Sequence, residues 1–151
     1  FELALSADLI LAAEHASFAL PEINVGQLAD AATIKLPRRI PHHVAMDLLL
    51  TGRWMEAAEA RQWGLVNEVL PADQLMDRAR ELAALLASGP PLVFAAIKEV
   101  VRATSQLPIQ EAFDCVTGKQ LGTVKTLYES DDVKEGARAF AEKRSPVWRG
   151  R

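Results

Sequence analysis

The sequence predicts an α/β fold, with short strands and loops over residues 1–71 and only helices over residues 72–151. Three observations carry that expectation. Before residue 71 the apolar residues come in brief runs closed by proline, glycine or turn chemistry. After it they recur every three or four residues, the period of one face of a helix. The 151 residues are 50% hydrophobic and 25% charged, the composition of one globular domain or a large piece of one. No repeat, low-complexity segment or linker interrupts the chain.

The strand-rich part reads element by element. Residues 2–6 suit the end of a short helix or a turn. Leu9-Ile10-Leu11-Ala12-Ala13 is an apolar run of strand length, fit for burial on both faces. Ser17-Phe18-Ala19-Leu20 gives a second short strand, stopped by Pro21. Asn24-Val25-Gly26 is turn chemistry. Asp30 is placed to cap a helical segment reaching about residue 39. Pro41 suits the first position of the next helix, with Val44, Met46, Leu48 and Leu49 as its apolar face and Gly52 at its end. A helix over 56–63 is followed by Gly64, where a left-handed cap is wanted. Residues 65–70 form a short strand closed by Pro71.

The rest is helical. Leu75, Met76, Ala79, Leu82, Ala83 and Leu86 follow amphipathic spacing, and Ser88-Gly89-Pro90 breaks it. Residues 92–103 form a short apolar helix, with Lys98 and Glu99 keeping one side wet. Pro108 starts one long helix with Ile109, Ala112, Phe113, Val116, Leu121, Val124 and Tyr128 turned inward. Ser130-Asp131-Asp132 caps a last helix through Phe140, its acids favourable to the positive helix end. Helices outnumbering the strands before them need something more to pack on, either upstream chain or a partner subunit.

Composition excludes several classes. With 17 basic and 20 acidic residues the net charge is −3, so the basic excess of a nucleic-acid surface is lacking. One cysteine, Cys115, allows neither an intramolecular disulfide nor a multi-cysteine metal site. It is compatible with a reducing compartment, and a cytoplasmic location is expected. The longest apolar stretch, residues 90–97, is far short of the ~18 residues of a membrane span, so no membrane partner is expected. The chain opens inside an apolar run, Phe1-Glu2-Leu3-Ala4-Leu5, with no Met. That reads as a piece of a longer chain, in which a missing leader carries no information.

The candidate chemistry is sparse. His42 and His43 point about 100° apart on a helix start and do not chelate one ion; they and His15 suit a solvated surface. Cys115 suits a buried small hydrophobe better than a nucleophile. No phosphate loop, zinc spacing or serine elbow is present, and no metal site is expected. Two carboxylates stand apart. Glu2 lies in an apolar context, and Glu22 follows Pro21 at the end of an apolar strand. A helix end, a strand, a turn and a strand back fit between them, and such a return can bring both to one cleft. Two carboxyls around one water can share general acid and general base work. An acid after a strand is more often a solvated loop residue, so the pattern alone leaves both readings open.

At these residues the chain resembles the enoyl-CoA hydratase/isomerase (crotonase) superfamily. ELALSADLILAAEHASFALPEINVG resembles the family's segment from the end of its glycine-rich turn through its Pro-Glu motif. TGRWMEAAEARQWGLVNEVLP resembles its next strongly patterned segment. The resemblance runs the whole length, as the C-terminal half to three-fifths of a member. It implies a crotonase-like spiral core of stacked ββα turns over residues 1–71. Helices for trimerisation and active-site cover follow over 72–151, assembled as a homotrimer or dimer of trimers. It implies an acyl-CoA thioester substrate, with coenzyme A as part of that substrate and no separate cofactor. Two backbone N–H groups, both upstream of Phe1, would stabilise the thioester enolate.

Carried over by motif, Glu2 is the glutamate that holds the catalytic water and Glu22 the second acid/base. The reaction implied is addition of water across an α,β-unsaturated acyl-CoA, or its reverse. The presence of both acids favours a hydratase over the family's Δ3,Δ2-enoyl-CoA isomerases, several of which use one. A third reading is an inactive truncated module that only oligomerises. One departure is Leu28-Ala29-Asp30-Ala31-Ala32, where many members carry a Pro-Asp-x-Gly-Gly-type run, so a glycine-only backbone shape is lost beside the water. The ending, Phe140 to Arg151, resembles the family's carnitinyl-CoA dehydratase branch, as do Leu36-Pro37-Arg38-Arg39-Ile40-Pro41 and Thr104-Ser105-Gln106-Leu107-Pro108. In the wider family the Phe-x-x-Lys-Arg ending lies near the CoA adenine and phosphate, so the resemblance implies that Lys143 meets a CoA phosphate; the residue alone reads equally as a solvated base.

Overall fold

Proline and glycine cut the first part of the chain into short elements. The computed structural model describes residues 1–151 and separates into two compact units, Phe1–Leu82 and Ala83–Arg151. The first unit opens with a 3-10 turn, Ala4–Ser6, then strands β1 (Leu11–Ala13) and β2 (Ser17–Phe18). A 3-10 helix, Pro21–Val25, leads to α1 (Asp30–Lys35), a 3-10 turn at Leu36–Arg38 and α2 (His42–Thr51). Then come β3 (Met55–Glu56), α3 (Ala57–Gln62) and β4 (Glu68–Leu70). β4 returns parallel to β1, with Val69 beside Ala12, and β3 pairs antiparallel with β2, with Met55 beside Phe18. β4 thus runs in the same direction as β1 while β3 runs against β2, and α1 and α2 lie between β2 and β3 in sequence.

Leu5, Leu20, Leu36, Leu48, Met55 and Val66 are the large side chains fully buried in this unit. Each contributes about 1.5–3 kcal/mol of burial. Ala32, Ala45, Ala57 and Ala60 join them and let the helices approach closely. Gly52 closes α2 at φ 63°, its N–H donating to the Leu48 carbonyl at 3.0 Å. A Cβ there would lie 2.9 Å from Ile23 Cγ2 and 3.0 Å from Asn24 Nδ2. Only glycine therefore lets the Pro21–Val25 turn sit on the end of α2. Arg53, the next residue, ties α2 to α3 through Asp47 and Glu59, which hold its guanidinium protonated well above the ordinary arginine range.

Several sequence expectations shift here. Asp30 is the first residue of α1, not its cap; Ala29 is the cap, with no side-chain bond. The segment to residue 39 splits in two because Pro37 has no N–H to give the Thr33 carbonyl, so the α ladder stops and a 3-10 turn follows. Pro41 stands one position before α2. Asn24 and Val25 belong to the 3-10 helix, which Gly26 closes at φ 71°.

In the second unit there are only helices: α4 (Leu75–Ala87), within which the division between units falls, α5 (Pro91–Thr104), α6 (Ile109–Thr117), α7 (Gly122–Glu129) and α8 (Asp131–Glu142). The long helix expected from Pro108 is two helices. Gly118, Lys119 and Gln120 donate backwards to Asp114, Val116 and Cys115, and Lys119 turns left-handed at φ 50°. A new helix then starts at Gly122 because Glu99 of α5 caps it. Glu99 Oε2 accepts the Thr123 N–H at 2.8 Å and the Thr123 hydroxyl. Glu99 is therefore not a wet-side residue. Ile109, Phe113 and Tyr128 are not inward either; Phe113 is 60% and Phe140 89% exposed. Cys115 is half-buried. Ser130 does cap α8, accepting from the Val133 N–H at 3.3 Å. No single helix is long and apolar enough to cross a membrane.

Two tests follow from these elements. Gly64 also has a positive φ, 77°, but open space where a Cβ would stand. Gly64→Ala therefore costs only the left-handed backbone penalty, about 1–2 kcal/mol, while Gly52→Ala adds a clash with Ile23 and costs more in urea unfolding. The two bonds from Thr123 hold the Glu99 carboxyl below its ordinary range. Its stabilisation is present above the unfolded glutamate value and fades as pH falls through the lowered one. The melting-temperature gap between the native chain and Glu99→Gln is thus widest at neutral pH and narrows as the pH falls below the ordinary glutamate range.

Candidate active site

Both glutamates singled out in the sequence lie in the first unit, on turns rather than on regular helices. Glu2 precedes the Ala4–Ser6 turn. That turn is held by the Leu5 N–H on the Phe1 carbonyl at 3.2 Å and the Ser6 hydroxyl on the Glu2 carbonyl at 3.3 Å. Lys35 of α1 donates to the Ser6 hydroxyl at 2.7 Å, and the Phe1 and Phe18 rings meet at 5.2 Å between centroids. So fixed, half-buried Glu2 reaches the first turn of α1, where its Oε1 accepts the Ala32 N–H at 2.9 Å. First-turn amides have no partner within their own helix, so this carboxylate serves one of them. Ala32 is 0% exposed. The run whose alanines depart from the resembled glycine pattern is thus the run that grips Glu2.

Glu22 sits in the Pro21–Val25 helix. Its carbonyl accepts the Gln27 N–H at 3.0 Å, which fixes the backbone. Its side chain differs from Glu2 in one respect: Oε2 is buried and has no hydrogen-bond partner in the chain. An unmatched buried carboxylate oxygen is a stability cost of the kind that functional sites carry. The Thr33 hydroxyl, next to Ala32, is likewise buried and unmatched. Thr33 lines a small cavity of about 180 Å³ walled by Leu20, Ile23, Leu28, Met46 and Leu49.

Lys143 lies in the second unit as the C-terminal cap of α8. It is held left-handed at φ 54° by its N–H on the Phe140 carbonyl at 3.2 Å. Its side chain is exposed. Nearby, Arg144 and the Val147 N–H hold the Glu135 carboxyl down to about 2. His42 and His43 meet edge to face at 5.9 Å in the exposed first turn of α2. No three His, Cys, Asp or Glu side chains gather as a metal site. Sequence reasoning missed the Ala32 amide as the partner of Glu2, and Thr33. The only signal was the alanine pair itself, which marks backbone shape and not a donor.

Glu2 is thus held by the start of α1, and Glu22 stands on the turn after β2 with an unmatched oxygen. The family model for enoyl-CoA hydratase/isomerase matches residues 1–151, and the chain belongs to that family. It is 47% identical to carnitinyl-CoA dehydratases of Salmonella agona and Citrobacter koseri, over all of this chain and 58% of each relative. It is also similar to the crystal structure of an enoyl-CoA hydratase from Mycobacterium tuberculosis H37Rv. There the TM-score is 0.89 and the identity 37%, over 99% of this chain and 58% of that one. A probable enoyl-CoA hydratase/isomerase from Mycobacterium abscessus gives 0.87 and 41% over the same shares. The fold is the crotonase type, and the chain spans somewhat over half the length of the relatives it matches.

The unmatched oxygens carry a prediction of sign. Thr33→Val and Glu22→Met each remove a buried polar atom that no group in the chain satisfies. Each raises stability, by about 1 kcal/mol for the hydroxyl, in denaturant unfolding.

Proposed function

We propose that this chain is the C-terminal part of an enoyl-CoA hydratase-type lyase, adding water across the α,β double bond of an enoyl-CoA thioester or removing it. The observation that carries the reading is the unequal pair of glutamates. Glu2 is aimed by the Ala32 amide and keeps its second oxygen for a water, while Glu22 offers a buried oxygen with no partner. In the hydration direction Glu2 takes a proton from the water as its oxygen bonds to the β-carbon. The electron pair of the double bond moves onto the thioester oxygen, and Glu22 delivers a proton to the α-carbon. Backbone N–H groups of the upstream half hold the enolate oxygen; the transition state gains more from such donors than the substrate does.

The residues here thus supply water, proton transfer and one wall of the site, and 1–151 alone is inactive. Residues 1–71 belong to the spiral core and 72–151 to assembly and cover. The exposed Phe113, Tyr128 and Phe140 support subunit packing as a homotrimer or dimer of trimers. Lys143 meets a CoA phosphate, no cofactor beyond the thioester is used, and the enzyme works in the cytoplasm. The 47% identity to carnitinyl-CoA dehydratases supports crotonobetainyl-CoA as the acyl substrate.

In the longer enzyme, Glu2→Gln and Glu22→Gln each lower the hydration rate constant by at least about 10²-fold, with thioester binding nearly intact. The double variant loses far less than the product of the two, since both act on one water and its protons. Loss of the enoyl thioester absorbance, with crotonyl-CoA and crotonobetainyl-CoA, follows the rate. Near-native hydration by Glu2→Gln alongside a dead Glu22→Gln replaces this reading with a Δ3,Δ2-enoyl-CoA isomerase.

A further inference from the structure

The last nine residues, 143–151, form no helix or strand, yet they are fastened at almost every step to α8. Arg144 gives its N–H to the Ala139 carbonyl at 3.1 Å. Its guanidinium pairs with Glu135 through both outer nitrogens, at 2.6 and 3.0 Å, and with Glu142 at 2.6 Å. The Val147 N–H then reaches Glu135 Oε1 at 3.0 Å. The Trp148 ring lies against α8 at Gly136, where a Cβ would stand 3.3 Å from it. Asp132, 3% exposed, spends both carboxylate oxygens on the tail, accepting the Arg149 and Gly150 N–H groups at 2.8 Å each. The Arg151 carbonyl completes the loop, taking the Asp131 N–H at 2.9 Å.

At the root of this strap stands Lys143. A lysine at φ 54° occupies a left-handed cap that glycine fills at far lower cost. Such a conformation lasts only where the surroundings over-determine it, and here the strap does so within one residue. Arg144, Glu135 and Glu142 are consumed by one another and the Lys134 ammonium pairs with Asp131, so the ammonium of Lys143 is left to face solvent from a fixed backbone.

We propose that Asp132 and Glu135 are positioning residues: by strapping residues 144–151 along α8 they hold the left-handed turn that presents Lys143 to a phosphate of the acyl-CoA substrate. This rests on the reading of Lys143 as a phosphate contact. The strap acts on binding alone. It touches no reacting atom, and it gives a flexible basic side chain a set origin, which lowers the ordering cost of the contact.

The test uses the longer enzyme, with Lys143→Gly, Asp132→Asn, Glu135→Gln and the double variant Lys143→Gly/Asp132→Asn. Substrates are an enoyl-CoA and the matching enoyl-pantetheine ester, which lacks the phosphates. Lys143→Gly keeps the turn and removes the ammonium. It raises KM for the CoA ester about tenfold, leaves kcat alone and leaves the pantetheine ester unchanged. Asp132→Asn and Glu135→Gln do the same, and exchange of the Val147, Arg149 and Gly150 amides speeds up. The double variant matches Lys143→Gly alone, because the strap acts through that lysine. An effect of Lys143→Gly with none from the strap variants overturns the positioning role and spares the phosphate reading. No effect of Lys143→Gly overturns the phosphate reading and the strap's role with it. Strap variants that weaken both esters equally, or lower kcat, show a purely structural tie and overturn the proposal.

Discussion

The bond from the Ala32 amide to Glu2 is the constraint on which the site depends. It spans thirty residues of sequence and fixes the opening turn against the first turn of α1. Without it the turn before β1 has no reason to aim a carboxylate inward. With it, the backbone that follows the Glu22 turn also grips the other glutamate. A displacement of α1 therefore moves Glu2 with it. Gly52 acts from the other side, letting the Glu22 turn rest on the end of α2 without a Cβ between them. The two contacts are backbone features, which explains how alanine replaces the resembled glycine pattern at residues 31 and 32 while the amide stays in use.

The same device recurs in the second unit. Helix starts leave amides unpaired, and Glu99 of α5 pairs one such amide at the start of α7. Asp132, in the first turn of α8, does the same for two amides of the non-helical tail. Such bonds are directional, so they fix a helix in rotation and not only in contact. Apolar packing does less here than in the first unit, where Leu20, Leu36, Leu48 and Met55 form a dense core. The large apolar side chains Ile109 and Phe113 of α6 and Phe140 of α8 instead stay exposed.

How much of this was legible in the sequence follows from the range of each cause. Pro21, Gly52, Gly64 and Ser130 act on their own backbone, and each sits where its local chemistry places it. The switch from strands to helices near residue 71 was equally plain, because it rests on periodicity. The break at Gly118–Gly122 was not, since half of its cause is Glu99, nineteen residues upstream of Gly118 and in another helix. The inward face drawn for Ile109, Phe113 and Tyr128 failed for a related reason: amphipathic spacing marks a face that seeks a partner and does not say which partner. Glu2 and Glu22 were visible as acids in apolar surroundings. Their unequal environments were not, because the Ala32 amide and the unmatched Oε2 of Glu22 are products of the fold.

A crystal structure of the longer enzyme with its 3-hydroxyacyl-CoA product bound tests the central claim most directly. The hydroxyl oxygen of the product marks where the water stood. The expected result is that oxygen within about 2.6–3.2 Å of carboxyl oxygens of both Glu2 and Glu22, with the Ala32 amide still donating to Glu2. A product hydroxyl touching Glu22 alone, with Glu2 turned away to solvent, contradicts it.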